Sequence, residues 1–193
     1  MKLKESGMPG GEDAWEKFFS PEKILKTLEV DNKVRDIADF GSGYGTFTIP
    51  AAKIVKGKVY AIDIDSELIE TTKKRIDEEG LNNVETMLRD FIINGSGLKK
   101  ESVDYAFLFN MLYVNGNPDK LLKEAYRILK PNGKVGIIHW NYDPTTPRGP
   151  SMEIRPKPEQ IIKWAKNAGF NSPEQHDLKP HHYGIVMEKR KWK

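Results

Sequence analysis

The stretch Asp39-Phe40-Gly41-Ser42-Gly43-Tyr44-Gly45 decides how this chain folds. An apolar segment, Val34 to Phe40, runs directly into its three glycines, and a helical pattern follows as far as Val55. Glycine tolerates left-handed backbone and lets a ligand come close to the main chain. A strand, a glycine-rich turn and a helix in this order predict a ligand-binding edge at the carboxyl end of a parallel sheet.

Strands and helices alternate along the chain on the C-terminal side of this stretch. Apolar runs predict strands at residues 58–62, 84–88, 103–109 and 135–139, and helical patterns lie at 66–79, 118–129 and 158–168. Repeated strand-helix units favour a mostly parallel sheet. Two final strand-like pieces, 170–178 and 181–188, have no helix between them and must pair antiparallel. The sequence therefore predicts an α/β domain whose sheet ends in a hairpin.

Three acidic residues end three successive strands and suggest the kind of ligand. Asp39 precedes glycines spaced G-x-G-x-G rather than G-x-G-x-x-G, and its carboxylate would repel a pyrophosphate but attract a cation. Asp63 could accept hydrogen bonds from two ribose hydroxyls, or could merely cap the next helix. Asp90 could accept a hydrogen bond from an adenine amino group, or could be ordinary turn chemistry. An NAD-dependent oxidoreductase is disfavoured by Asp39 and by the glycine spacing.

From about Val34 to Lys189 the chain resembles the class I S-adenosylmethionine-dependent methyltransferases. The segment Ala125 to Lys134 is similar to their R-x-L-K-P-G-G element, with Asn132 in place of the first glycine. The resemblance implies a Rossmann-like three-layer sandwich with a seven-stranded sheet, and S-adenosylmethionine as the cofactor. It implies a cofactor site formed by Asp39, Gly41, Ser42, Gly43, Gly45, Asp63, Ile64, Asp90, Phe91 and Asn110.

The sequence signals for the acceptor site are less specific than those for the cofactor site. The helix and turn spacing is similar to the group that contains quinone-biosynthesis and other small-molecule methyltransferases, which predicts a small-molecule acceptor. Methyl transfer from a sulfonium mainly requires positioning, so no catalytic base is assigned. The proline-rich segment 141–158 follows the fifth strand, and two readings of it stay open: a wall of the acceptor pocket, or a surface connection whose prolines only restrict the unfolded chain. The candidate pocket residues are Trp15, Tyr113, His139, Arg148, Arg155 and Tyr183.

Composition and the chain ends limit the other readings. The chain has no cysteine, which excludes disulfides and thiolate metal sites, and no metal site is predicted. Its net charge is +3. No segment has the length and apolarity of a membrane span or a secretory signal, so a cytoplasmic location is expected. Residues 1–30 are expected to form an arm and helix over the cofactor site, and residues 31–193 the methyltransferase domain.

Two other functions stay open at the level of sequence. The first is an RNA or protein methyltransferase, for which the basic tail 188–193 and Arg148 or Arg155 would contact an acidic partner. Asn110-Met111-Leu112-Tyr113 resembles the N-P-P-Y element of amino-group DNA methyltransferases but lacks both prolines, which disfavours nucleobase methylation. The second is a cofactor-binding module without catalysis.

Overall fold

The protein is described here by a computed structural model that covers residues 20–147 and 149–190. Within these residues the elements in chain order are α1 (Pro21–Thr27), β1 (Ile37–Phe40), α2 (Thr48–Ile54), β2 (Val59–Asp63), α3 (Ser66–Glu78), β3 (Val84–Leu88), α4 (Phe91–Asn94), β4 (Val103–Phe109), α5 (Pro118–Ile128), β5 (Leu129–Trp140), α6 (Pro158–Asn167), β6 (Phe170–Leu178) and β7 (His182–Lys189).

The seven strands form one sheet in the order β3-β2-β1-β4-β5-β7-β6. All neighbours from β3 through β5 are parallel, whereas β7 runs antiparallel to both β5 and β6. The predicted mostly parallel sheet with a terminal hairpin is therefore confirmed. The strand order reverses between β1 and β4, and at such a point the two carboxyl strand ends leave a crevice for a ligand.

Helices cover the sheet on both faces, so the fold has the three predicted layers. One buried apolar cluster contains side chains of α5 and α6 against β4, β5 and β7, and a second contains side chains of α1 and α2 against the opposite face. Central strands covered on both sides are expected to be almost wholly apolar, as β4 is. No helix of the described residues is long and apolar enough to cross a bilayer.

The described part of the N-terminal region belongs to the core. Leu25 and Leu28 are fully buried, and α1 packs against α2. The Tyr105 hydroxyl of β4 donates a hydrogen bond of 2.6 Å to the carbonyl oxygen of Leu28, which joins the end of α1 to the sheet. Residues 20–30 are thus part of the same folded unit as the sheet, and residues 1–19 lie outside the described residues.

Two predicted strand starts differ from those observed by more than one residue, and hydrogen bonds explain the first. The prediction started β1 at Val34, but the strand starts at Ile37. The backbone N–H of Asp36 donates to the Asp104 carboxylate at 2.9 Å, and the Asp36 carboxylate accepts from the N–H of Lys58 at 3.0 Å. At Asp36 the backbone carbonyl oxygen still accepts from Asp104 and Tyr105 N–H, but side-chain carboxylates satisfy the N–H groups of Asp36 and Lys58, so regular strand pairing starts at Ile37.

The second boundary is the start of β5, predicted at Val135 and observed at Leu129. Leu129 pairs with Val103, the register then shifts, and pairing resumes at Lys134 with Tyr105. Within the irregular stretch Asn132 has a φ of 64°, the left-handed geometry that its place in the methyltransferase-like segment predicts. A side-chain amide makes this geometry accessible to asparagine.

Candidate functional site

The glycine-rich turn leaves the carboxyl end of β1 and bends through three left-handed residues. Gly41, Gly43 and Gly45 have φ values of 71°, 57° and 78°. A Cβ at Gly41 would come within 2.4 Å of the Met111 sulfur, whereas a Cβ at Gly43 would have only the Gly41 carbonyl oxygen within 4 Å, at 4.0 Å. Gly41 is therefore favoured mainly by its left-handed backbone, with the flexible Met111 side chain packed against it, while the backbone at Gly43 has an open side that a ligand can approach.

Asp39 ends β1 with its carboxyl group buried beneath this turn. The side chain is 3% exposed, and Oδ2 accepts a hydrogen bond of 2.6 Å from the Thr48 hydroxyl of α2. Burial raises the pKa of Asp39 to about 7; the Thr48 bond lowers it and the nearby Asp63 raises it. Within the described residues Asp39 forms no ion pair, so its environment would be stabilised by a cation.

Asp63 ends β2 and connects that strand to the glycine-rich turn. Its Oδ2 accepts a hydrogen bond from Gly43 N–H at 2.9 Å, and its Oδ1 accepts one from Asp65 N–H at 3.0 Å. Burial raises its pKa, although these backbone donors lower it. The N-cap of α3 is Asp65, which accepts from Glu67 N–H at 2.9 Å. Asp63 is therefore not the helix cap, and each of its oxygens retains a lone pair for a hydroxyl donor.

The third acidic residue, Asp90, caps α4. Its Oδ1 accepts hydrogen bonds from Ile92 N–H at 3.1 Å and Ile93 N–H at 3.0 Å. The ring of Phe91 is buried edge-on against Phe40, with centroids 5.3 Å apart. Ile64 is 53% exposed. Of the two residues predicted to hold an adenine ring, Ile64 offers the exposed apolar face, and the Phe91 ring belongs to the core.

Asn110 follows β4 beside the strand-order reversal. It adopts a φ of 56°, and its N–H donates to the Ile138 carbonyl oxygen at 2.8 Å, which places it next to the end of β5. Its Oδ1 is buried without a hydrogen-bond partner among the described residues, and so is the Ser42 hydroxyl. Buried polar atoms are normally paired, so these two mark the edge as built for a polar ligand.

Three of the predicted pocket residues form one aromatic group at the ends of β4, β5 and β7. His139 is fully buried, its ring centroid lies 5.2 Å from that of Tyr113 in an edge-on arrangement, and Tyr183 lies 6.3 Å away on the partner strand. Neither nitrogen of His139 has a hydrogen-bond partner of good geometry. Burial lowers the pKa of His139 to about 3; the Arg155 charge adds to this, and nearby backbone of Trp140 and Leu112 partly offsets it. His139 is therefore a neutral imidazole.

Arg155 was predicted as a pocket residue, but its guanidinium is directed into its own loop. It is 4% exposed and donates to carbonyl oxygens of Asn141 at 2.8 Å and Pro150 at 2.7 Å, and to the Thr146 hydroxyl at 2.7 Å. It also lies 5.9 Å from the centroid of the Trp140 ring. Arg155 therefore holds the segment after β5 in place, a role that the sequence does not indicate because it depends on loop geometry.

The remaining predicted residues and two unpredicted ones complete the site. Trp15 and Arg148 lie outside the described residues. Thr48 and Met111 were not predicted, yet Thr48 binds Asp39 and Met111 packs on Gly41. The signal for Thr48 was its place at the start of the helix that follows the glycine-rich turn, where a hydroxyl can reach the end of β1.

Together these groups define what the carboxyl edge of the sheet can bind. Buried carboxyl groups at the ends of β1 and β2 suit a cation and hydroxyl donors. Ile64 and Leu88, at the ends of β2 and β3, and Ile93 of α4 are exposed apolar side chains. A ligand with a cationic group, vicinal hydroxyls and a flat ring fits this arrangement.

Comparison with known proteins points to the same chemistry. Residues 37–133 match the family model described as a methyltransferase domain. A demethylmenaquinone methyltransferase of Lactobacillus johnsonii is 33% identical over 141 residues, which are 72% of this chain and 54% of that protein. A probable cobalt-precorrin-6B C(15)-methyltransferase (decarboxylating) of Sulfurisphaera tokodaii is 31% identical over 148 residues, 67% of this chain and 70% of that protein. The chain thus spans about half the length of the first relative.

Among solved structures, an S-adenosylmethionine-dependent methyltransferase from Aquifex aeolicus superposes with a TM-score of 0.82 at 26% identity. The superposition covers 92% of this chain and 94% of that one. The similarity therefore extends from the glycine-rich turn to the terminal hairpin.

Proposed function

This chain belongs to the class I S-adenosylmethionine-dependent methyltransferases, and we propose that it transfers a methyl group from S-adenosylmethionine to a small-molecule acceptor, leaving S-adenosylhomocysteine. The observation that carries the proposal is the buried Asp39 carboxyl group beneath the open glycine-rich turn, which is hydrogen-bonded to Thr48 but has no ion-pair partner among the described residues. A buried carboxylate is stabilised by a cationic partner, which NAD would not provide at this position.

The residues at the carboxyl edge fit S-adenosylmethionine group by group. Asp39 would face the positively charged methionine part, and the open backbone at Gly43 would allow close approach. Asp63 would accept hydrogen bonds from the ribose hydroxyls through its remaining lone pairs. The exposed side of Ile64 would pack on the adenine ring, and Asp90 would lie at its edge.

When bound, S-adenosylmethionine supplies an electrophilic methyl group on a sulfonium that leaves as a neutral thioether. The chain's own residues then have to hold the acceptor in line with that methyl group and exclude water. Asn110 and the group of Tyr113, His139 and Tyr183 lie at neighbouring strand ends where an acceptor would be placed.

The hydrogen bonds of two basic side chains within the protein favour a small molecule over RNA or protein as the acceptor. Arg155 makes its hydrogen bonds within its own loop. Lys189, in the basic tail, is 4% exposed and donates to the Leu129 carbonyl oxygen at 2.7 Å. Neither cation is presented to a phosphate or acidic partner. The two named relatives are a demethylmenaquinone methyltransferase and a probable cobalt-precorrin-6B methyltransferase, which also supports a small acceptor.

Calorimetric titration with S-adenosylhomocysteine and with NAD tests the cofactor. We expect saturable binding of the first and no response to the second; the opposite pattern would contradict the proposal. Release of S-adenosylhomocysteine with a panel of small molecules, total RNA and a peptide mixture tests the acceptor class. A signal confined to RNA or peptides would overturn the small-molecule part and leave the methyltransferase part in place.

A further inference from the structure

We propose that His139 binds the acceptor directly, and that the acceptor presents a neutral hydroxyl group on an aromatic or other flat ring. The inference rests on the proposed function and adds the chemical class of the acceptor. It starts from a fully buried imidazole whose two nitrogens have no hydrogen bond of good geometry to any residue that the structure describes. Such a group is costly unless a ligand completes it.

Because of where His139 lies, the acceptor is the ligand that would supply the missing hydrogen bonds of its ring. His139 is the next-to-last residue of β5, and the residue before it, Ile138, accepts the hydrogen bond from Asn110 N–H. Asn110 also carries a buried carbonyl oxygen without a described partner. Two unsatisfied polar side chains therefore end adjacent strands beside the reversal of strand order, where the reacting group has to lie.

The hydrogen-bonding character of the site selects a neutral acceptor. Burial keeps the His139 ring neutral, and the charge of Arg155, whose guanidinium is bonded to loop oxygens, adds to this effect. A neutral imidazole has one N–H donor and one acceptor nitrogen. A carboxylate or ammonium acceptor would lack a countercharge there, whereas a hydroxyl can donate its proton to the free nitrogen.

The ring neighbours select the shape of the acceptor. Tyr113 and Tyr183 flank His139, and the Tyr183 hydroxyl is occupied, because it donates to the Pro156 carbonyl oxygen at 3.0 Å. Tyr183 therefore offers its ring rather than its hydroxyl to this site. Aromatic rings prefer edge-on or offset contacts with other flat rings. A phenol or enol ring satisfies both the imidazole and its neighbours.

The transfer step balances with these groups. The acceptor oxygen forms a bond to the methyl carbon as the carbon–sulfur bond breaks, and that electron pair remains on sulfur. The hydroxyl proton passes to the free nitrogen of His139, so the single positive charge moves from sulfonium to imidazolium and is later released to solvent as a proton. General bases contribute about 10²- to 10⁴-fold in rate when their pKa is near the working pH, and the lowered pKa of His139 places it at the lower end of that range.

The test uses two matched pairs of probes, catechol against o-phenylenediamine and 2-naphthol against 2-naphthylamine. With S-adenosylmethionine we expect methylation of the hydroxyl member of at least one pair in preference to its amine. His139→Phe should then lower kcat about 100-fold or more, and His139→Gln should restore KM more than kcat. Affinity for S-adenosylhomocysteine should be unchanged in both variants. His176→Gln, at a partly buried histidine of β6, is the matched control and should keep the parent kcat.

A second readout does not depend on turnover. In protein saturated with S-adenosylhomocysteine, the ¹⁵N signals of the His139 ring should shift when catechol or 2-naphthol is added at millimolar concentration. Preference for the amines, full activity of His139→Phe, or His139 signals that do not move would each overturn the inference. If S-adenosylhomocysteine binds the parent protein in these experiments, the proposed function survives that result; if it does not bind, both fail.

Discussion

At the scale of single residues, the carboxyl group of Asp39 links protonation to cofactor binding. Its pKa is raised to about 7 by burial, so at neutral pH about half of the free protein carries a proton there. A ligand ammonium group is attracted to the carboxylate and not to the carboxylic acid. Binding must therefore be accompanied by proton release, and its strength must depend on pH.

We expect the affinity for S-adenosylhomocysteine to fall about tenfold between pH 8 and pH 6, because below its pKa Asp39 has to lose a proton before the cation binds. Calorimetry at several pH values, in buffers of different ionisation enthalpy, measures both the affinity and the proton release. Asp39→Asn should bind weakly and without this pH dependence. An affinity that is the same at pH 6 and pH 8 would contradict the assignment.

Asp63 and Asp65 form a matched pair of test sites because they lie two residues apart, and we assign cofactor binding to Asp63 and the α3 cap to Asp65. Asp63→Ala should weaken binding of S-adenosylhomocysteine by about 1.5–3 kcal/mol, the range for hydrogen bonds to a charged group. Asp65→Ala should instead lower the free energy of unfolding by about 1 kcal/mol through loss of the α3 cap, and leave affinity unchanged. Equal affinities of the two variants would show that Asp63 serves only the turn.

The sequence was most informative where a role depends on position along a strand. Asp39, Asp63 and Asn110 could be placed at strand ends because apolar runs reveal where buried strands stop. The state of each side chain could not be predicted in this way. The missing partners of His139 and the burial of the Phe91 ring depend on neighbours from distant elements, which one sequence pattern does not encode.

At the scale of elements, the segment after β5 is held by one buried cation. Four prolines lie between β5 and α6, and the described residues of that stretch form no regular helix or strand, as the prolines predict. Its path depends on Arg155, whose hydrogen bonds reach residues 141, 146 and 150. The Tyr183 hydroxyl also donates a hydrogen bond to the Pro156 carbonyl oxygen. The segment is therefore held both by Arg155 within the loop and by Tyr183 of the sheet.

Arg155→Ala should lower the free energy of unfolding by at least about 2 kcal/mol, since it leaves several buried carbonyl oxygens without donors. It should also expose the segment to limited proteolysis between residues 141 and 157. Urea denaturation and mass spectrometry of the fragments measure the two effects. Arg35→Ala, at an exposed arginine, is the control and should change neither. An Arg155→Ala protein as stable as the parent would show that the loop does not depend on this side chain.

At the scale of the whole molecule, the sheet gathers perturbed titratable groups at one edge. Burial lowers the pKa values of His139 and His182 to about 3, and raises that of Asp39 to about 7. Both histidines bind protons more readily in the unfolded chain, so they destabilise the fold as the pH falls below about 6.5. Asp39 acts in the opposite direction, because the folded protein holds its proton between about pH 4 and pH 7. Titratable groups at the same edge of the sheet therefore affect both cofactor binding and the dependence of stability on pH.

Between about pH 6 and pH 4 the two histidines gain protons on unfolding and Asp39 loses one, so these three groups together take up one proton. Asp63, whose pKa is also raised, acts in the same direction as Asp39, and Glu124, whose pKa is lowered to about 2, acts in the same direction as the histidines. The free energy of unfolding should therefore fall by about 1.4 kcal/mol for each pH unit of acidification. Urea denaturation at pH 6.0, 5.5, 5.0 and 4.5 measures this slope. His139→Gln removes one of the two histidines and should bring the slope close to zero. A parent protein whose stability rises on acidification would mean that Asp39 outweighs both histidines, and an unchanged slope in His139→Gln would show that this buried imidazole takes up no proton on unfolding.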